Sequence, residues 1–257
     1  MATYVIKYGG SVSGQPTALL TDLANATKAG HRIVIVHGGG PEITSWLKKF
    51  GHSSHFVQGQ RYTDAITLDI VEMVLCGRVN KWLVRAIQAN GVKAIGLSGE
   101  DGGLVSATTS PADGSLGFVG HVQAIDVSVI NTLLIAGFVP VIAPLGLDDA
   151  GQVHNINADL VAGRIAGAMQ ADAFILATDV AGVKKERDGD PVACLREEQV
   201  KAWIEQEIIT DGMIPKVQAA MDALAYGSGS SYIVDARQHG LFEALAQKRS
   251  FGTQIIA

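Results

Sequence analysis

Short apolar runs rich in β-branched residues alternate along the chain with stretches whose apolar positions recur every three or four residues. The first pattern suits buried strands and the second amphipathic helices. Strands are predicted at Thr3–Ile6, Arg32–Val36, Lys93–Leu97, Val139–Ala143, Ala173–Thr178 and Ser231–Val234. Helices are predicted at Thr17–Ala29, Pro41–Phe50, Asp64–Asn90, Ser128–Ala136, Asn157–Ala168, Arg196–Glu205, Ile214–Tyr226 and Leu241–Gln247. The longest, Asp64–Asn90, carries Val71, Val74, Leu75, Val79, Trp82, Leu83, Ala86 and Ile87 at helical spacing and ends at Asn90-Gly91. Leu104–Val122 reads as a hairpin region rich in Gly, Pro and Asp. Strand–helix alternation implies an α/β fold, a three-layer αβα sandwich around a mostly parallel sheet. The softest boundary lies at Gln170–Asp172, which divides a larger part, residues 1–171, from a smaller one, residues 172–257, on one continuous sheet.

Composition narrows the function classes. The charge balance is 20 − 25 = −5, and without clustered Lys and Arg a nucleic-acid backbone is not an expected partner. No apolar run approaches the ~18 residues of a membrane span, and the start of the chain has no basic-then-apolar leader. The two cysteines, Cys76 and Cys194, read as free thiols of a reducing compartment, so a cytoplasmic protein is expected. Glycine is in excess: 30 of 257 residues, about 12% against a usual 7%.

Several of those glycines sit where chemistry could occur. Lys7-Tyr8-Gly9-Gly10-Ser11 follows the first strand, and adjacent glycines there let backbone N–H groups approach an anion beside the Lys7 charge. Val36-His37-Gly38-Gly39-Gly40-Pro41 joins a strand to a helix N-terminus, a setting that favours phosphate or carboxylate. It matches neither the dinucleotide nor the P-loop fingerprint. His37 itself reads as structural. Arg61, in a loop before the long helix, could grip a carboxylate, although a lone loop arginine is usually a solvated charge. In Asn155-Ile156-Asn157-Ala158-Asp159, Asn157 reads as a helix cap, which leaves Asn155 and Asp159 to explain. Lys216 lies in the first turns of a helix, against the dipole, which suits either an anionic ligand facing it or a solvated lysine. His52-Ser53-Ser54-His55 lacks a supporting ligand set, so no protein-held metal is expected.

Taken in order, KYGG (7–10), VHGGGP (36–41), GQRYTD (59–64), VNK (79–81), GLSGEDG (96–102), NINAD (155–159), TDVAGV (178–183) and IITDGMIPK (208–216) resemble the amino acid kinase family, and within it the kinases of N-acetylglutamate. The resemblance implies that residues 1–171 bind the acyl amino acid and form a homodimer through the helix 64–90, and that residues 172–257 bind ATP. It implies Lys7, Lys216 and Asp159 as catalytic residues, the lysines neutralising the transferring phosphoryl group and Asp159 organising them. It assigns Gly39, Gly40, Arg61 and Asn155 to the substrate. It assigns Gly9, Gly10, Thr178, Asp179, Val180, Gly182, Val183, Lys184, Ile208, Ile209, Thr210 and Met213 to the nucleotide, with Mg²⁺ between its phosphates. The expected reaction is ATP-dependent phosphorylation of the side-chain carboxylate of N-acetyl-L-glutamate, a step of arginine biosynthesis. Tyr8, Tyr62 and Glu100 depart from the family's usual residues. A first strand beginning at about Thr3 leaves no room for the extra N-terminal helix of arginine-inhibited members, so a dimer without arginine feedback is expected.

Two other readings fit part of the pattern. One is a kinase for carrier-protein-bound α-aminoadipate, which Gly40-Pro41 and the absence of a basic run disfavour. The other is a non-catalytic sensor of ATP or an amino acid, which the retention of Lys7, Asp159 and Lys216 disfavours.

Overall fold

The computed structural model describes residues 1–9, 17–57, 59–111, 113–186 and 188–257. In chain order its strands are β1 (Thr3–Tyr8), β2 (Arg32–His37), β3 (Phe56–Val57), β4 (Gln60–Arg61), β5 (Ala94–Ser98), β6 (Val105–Thr109), β7 (Val119–Ile125), β8 (Val139–Ala143), β9 (Leu145–Leu147), β10 (Val153–Ile156), β11 (Ala173–Thr178), β12 (Cys194–Arg196), β13 (Ser231–Asp235) and β14 (Thr253–Ile256). Its helices are α1 (Ala18–Lys28), α2 (Gly40–Lys49), α3 (Ala65–Glu72), α4 (Asn80–Gln88), α5 (Ser128–Ile135), α6 (Ala158–Ala168), α7 (Glu197–Glu205), α8 (Ile214–Ala225) and α9 (Leu241–Ala246).

Eight strands form one sheet in the order β12-β14-β13-β11-β1-β2-β8-β5. Every neighbouring pair is parallel except β13 and β14. Strand β1 pairs with β2 on one side and β11 on the other, so the sheet runs unbroken between the two parts of the chain. Alternation along β1 and β2 divides the core. Val5, Val34 and Val36 pack with residues of α5, α6, α7 and α8 on one face. Tyr4, Ile6, Tyr8, Ile33 and Ile35 pack with α1, α4 and α9 on the other. Because successive side chains alternate, Lys7 falls on the face of Val5, toward α6. His37 falls on the face of Ile33 and Ile35, toward α4.

Helices α6 and α8 pack through small residues, Ala162, Gly163 and Ala166 against Ala219, Ala220 and Ala223. A Cβ at Gly163 would lie 2.9 Å from the Ala219 carbonyl oxygen, and one at Gly167 would lie 2.3 Å from Tyr226 Cβ. These contacts run in the same order along both helices, which brings the starts of α6 and α8 to the same level. No Cβ could be accommodated at this spacing without moving backbone.

The predicted hairpin region is more than a hairpin. Strands β6 and β7 are antiparallel as expected, but β9 and β10 join them in a closed four-stranded ring. Asn155 and Ile156 belong to β10, and α6 begins only at Ala158. The long helix is interrupted: a π-type segment, Met73–Val79, separates α3 from α4. The short strands β3, β4, β12 and β14 also lie outside the predicted set, because each is defined by its pairing rather than by a long apolar run. No helix among the described residues is long and apolar enough to cross a membrane.

Candidate functional site

The end of strand β1 and the starts of helices α6 and α8 converge on Asp159. The Asn157 side chain caps α6 by accepting from the Asp159 N–H at 2.8 Å. Asp159 is then held in the first helical turn, 5% exposed. Lys7 Nζ lies 2.7 Å from Asp159 Oδ1, as an ion pair rather than a well-directed hydrogen bond. Lys216, in the first turns of α8, lies 3.8 Å from Asp159 Oδ2. One carboxylate thus faces two ammonium groups brought from residues more than 200 positions apart, leaving the cluster with a net positive charge. A buried cluster of that sign is poised for an anion.

Beside it opens a cleft of about 240 Å³ lined by Gly39, Gly40, Arg61, Asn155, Asn157 and Ala158 among others. All four residues expected to contact substrate therefore line one cleft. Arg61, 8% exposed, is anchored on several sides. Its Nη2 donates to the Gly40 carbonyl at 3.0 Å and to Thr44 Oγ1 at 2.9 Å, its Nη1 donates to Ser54 Oγ, and its guanidinium lies 4.6 Å from the centre of the Phe56 ring. Asn155 donates through Nδ2 to Thr63 Oγ1 at 3.1 Å, and Thr63 donates to the Arg61 carbonyl at 2.9 Å. Thr44, Ser54 and Thr63 were not singled out by sequence. The only advance signal is that Thr44 lies one helical turn after Gly40, whose carbonyl it also bonds.

Gly39 has a packing role too. A Cβ there would lie 2.6 Å from Leu75 Cδ2 in the π-type segment. His37 is wholly buried behind this loop. Its Nε2 is 3.1 Å from Asn80 Nδ2 and its Nδ1 is 3.1 Å from the Gly38 carbonyl. Burial pulls its pKa down to about 4, with the nearby Lys81 charge acting in the same direction, so the ring is neutral near pH 7.

The other expected positions lie just after β1, at and after the end of β11, and before the start of α8. Thr178 ends β11 and donates to Asp179 Oδ1 at 3.0 Å. Asp179, Val180, Lys184 and Thr210 are exposed, Ile208 and Met213 half-buried. Gly182 sits at φ +148°, with Thr253 Oγ1 2.5 Å from where its Cβ would be. Val183 and Ile209 belong to the core, and both backbone groups of Val183 are bonded within the fold, its N–H to Thr253 and its carbonyl to Val192 and Thr253. The Gly9 N–H donates to the Ala177 carbonyl at 2.9 Å, extending the sheet. Gly10 lies outside the described residues. Two of the departures are accommodated by packing. Tyr8 is buried, its hydroxyl 3.1 Å from Thr17 Oγ1 and its pKa pushed up to about 12 by burial. Glu100 is half-buried and its pKa is raised by burial and by Glu72.

Among the described residues no group of three or more His, Cys, Asp or Glu could hold a metal ion.

The model of the amino acid kinase family matches residues 2–235. The chain is 44% identical to the chloroplastic acetylglutamate kinase of Arabidopsis thaliana over 98% of this chain and 75% of that one. It is 47% identical to the acetylglutamate kinase of Jannaschia sp. over 92% of this chain and 83% of that one. The crystal structure of smu.665 from Streptococcus mutans superposes with a TM-score of 0.87 at 32% identity, covering 99% of this chain and 98% of that one. The chain belongs to the amino acid kinase family.

Proposed function

We infer that the protein transfers the γ-phosphoryl group of ATP to the side-chain carboxylate of N-acetyl-L-glutamate, giving N-acetylglutamyl 5-phosphate and ADP in arginine biosynthesis. The relatives' names supply the substrate, and the observation that carries the chemistry is the Lys7–Asp159–Lys216 cluster beside the Arg61 cleft.

A carboxylate with an ordinary pKa near ~4.3 is already ionised at neutral pH, so the acceptor needs no general base. The obstacle is bringing two anions together. A carboxylate oxygen forms the new bond to the γ-phosphorus as the bond to the β–γ bridging oxygen breaks, and the electron pair leaves with ADP. Lys7 and Lys216 stabilise the charge on the phosphoryl oxygens throughout, and Asp159 holds the two ammonium groups apart and in place. N–H groups at the start of α2, at Gly39 and Gly40, add to that field. Arg61, held in place through Gly40, Thr44 and Ser54, attracts the substrate's other carboxylate as a fixed positive charge, and Asn155 bonds the substrate beside it. Mg²⁺, when bound with ATP, neutralises phosphate charge.

In this reading residues 1–171 form the substrate part and residues 172–257 the nucleotide part, with Thr178–Lys184, Ile208–Thr210 and Met213 around ATP. Ile66 and Met73 expose apolar side chains on the helix 64–90, which supports a homodimer through it, and a cytoplasmic location suits the reaction. A hydroxylamine trap for acyl phosphate, run with Mg-ATP and N-acetylglutamate, glutamate, aspartate or carrier-linked α-aminoadipate, tests the assignment. N-acetylglutamate is expected to give the product at the highest rate. Product from the carrier-linked acid alone would overturn the reading.

A further inference from the structure

His37 is a buried titratable side chain behind the cleft that the reaction does not use. Its two ring nitrogens face groups whose own roles are fixed. A carbonyl can only accept, so the contact to Gly38 requires a proton on Nδ1. The Asn80 amide is oriented by two more carbonyls: Nδ2 donates to Val141 at 2.8 Å and to Leu97 at 3.2 Å, while Oδ1 accepts from Lys81 Nζ at 3.1 Å. Asn80 Nδ2 has no lone pair to offer and can only share its two protons among these neighbours, so His37 Nε2, 3.1 Å away, faces a donor and carries no proton itself. Both ends select the same neutral tautomer. The Asn80 amide cannot be displaced easily, since it lies against Gly96, where even a Cβ would lie 1.7 Å from Asn80 Oδ1.

The Gly38 carbonyl and the Gly39 N–H share one planar trans peptide and point in opposite directions. Drawing the carbonyl toward the buried ring turns the N–H outward, to the side on which Gly38, Gly39 and Gly40 line the cleft. We propose that His37, fixed by Asn80 as the neutral Nδ1–H tautomer, is a positioning residue that aims the Gly39 N–H at the anion in the cleft. The proposal rests on the reading that Gly39 faces the reacting groups. Depressed basicity of the ring keeps the second proton away and is consistent with this role.

Two measurements test it. The first is ring-nitrogen NMR of the uniformly ¹⁵N-labelled wild-type protein, with the His37 signals among the seven histidines identified by their loss in a His37 variant. The expected result is a neutral ring protonated on Nδ1 at pH 7. A proton on Nε2, or a charged ring, overturns the proposal whatever the substrate is. The second compares His37→Asn, which keeps a donor near the Nδ1 position, with His37→Gln, which places its amide near Nε2 instead. His37→Asn is expected to retain kcat within ~3-fold, and His37→Gln to lose at least ~10-fold in kcat with KM for N-acetylglutamate within ~3-fold. Equal kcat in the two variants, or an effect confined to KM, overturns it. A wild-type protein inactive on N-acetylglutamate would sink the functional reading, while the NMR result would still decide the tautomer.

Discussion

Lys7 and Lys216 bring the same ammonium group to the same carboxylate, yet the fold holds them in opposite ways. Lys7 is at the end of a central strand flanked on both sides by parallel partners, and its side chain is 10% exposed and 2.7 Å from Asp159. Lys216 is on a helix outside the sheet, 21% exposed and 3.8 Å away. The first is placed by the backbone register of the sheet. The second is placed by how closely α8 packs on α6. The proposed reaction uses both charges, but only Lys7 belongs to the central sheet. The contrast suggests that a catalytic cation can be either a part of the core or a group carried to it by packing.

The largest expected effect separates these two modes. Lys7→Met should reduce kcat by more than ~10²-fold and also cost about 3 kcal/mol of stability, because it leaves a buried carboxylate short of its nearer partner. Lys216→Ala should reduce kcat by at least ~10²-fold while leaving stability within ~1 kcal/mol. Denaturant unfolding beside steady-state kinetics checks both. Equal stability losses would abolish the distinction.

A smaller effect should follow from the helix contact alone. Gly163→Ala places a Cβ 2.9 Å from the Ala219 carbonyl oxygen, so α8 must shift. The expected cost is about 1–3 kcal/mol, with a several-fold loss of kcat although no substrate group is touched. Unchanged kcat would show that Lys216 tolerates helix movement.

The legibility of these features in the sequence follows their range. Asn157 as a cap and the glycines of 38–40 were readable because their signals are local. The face of Lys7 follows from alternation once β1 is recognised, and alternation is local as well. The meeting of Lys216 with Asp159 was not readable from spacing; it depended on family resemblance, although Gly163 and Gly167 one helical turn apart were a hint of close packing. The four-stranded ring was missed because β9 and β10 are short and defined by partners distant in the chain. The collar of Thr44, Ser54 and Phe56 around Arg61 was missed for the same reason, as was the Asn80 side chain spanning β2, β8 and β5.

The smallest expected effect concerns the region behind the cleft. His37 has its pKa lowered to about 4 from 6.5 by burial. The unfolded chain therefore takes up a proton at a pH where the folded protein does not. The stabilisation is complete above about pH 6.5 and is lost as pH falls toward 4, up to ~3 kcal/mol in all. Unfolding free energies of wild-type and His37→Asn protein at several pH values should converge on acidification. Parallel curves would contradict burial of a neutral ring.

The central claim is that catalysis proceeds by charge stabilisation at Lys7, Lys216 and Gly39, without proton transfer from the acceptor. The most direct measurement is the pH dependence of kcat for N-acetylglutamate at saturating Mg-ATP. The account predicts a plateau between about pH 6.5 and 8.5, where the acceptor carboxylate is fully ionised. A rising limb with an apparent pKa near ~7 would reveal a general base and contradict it.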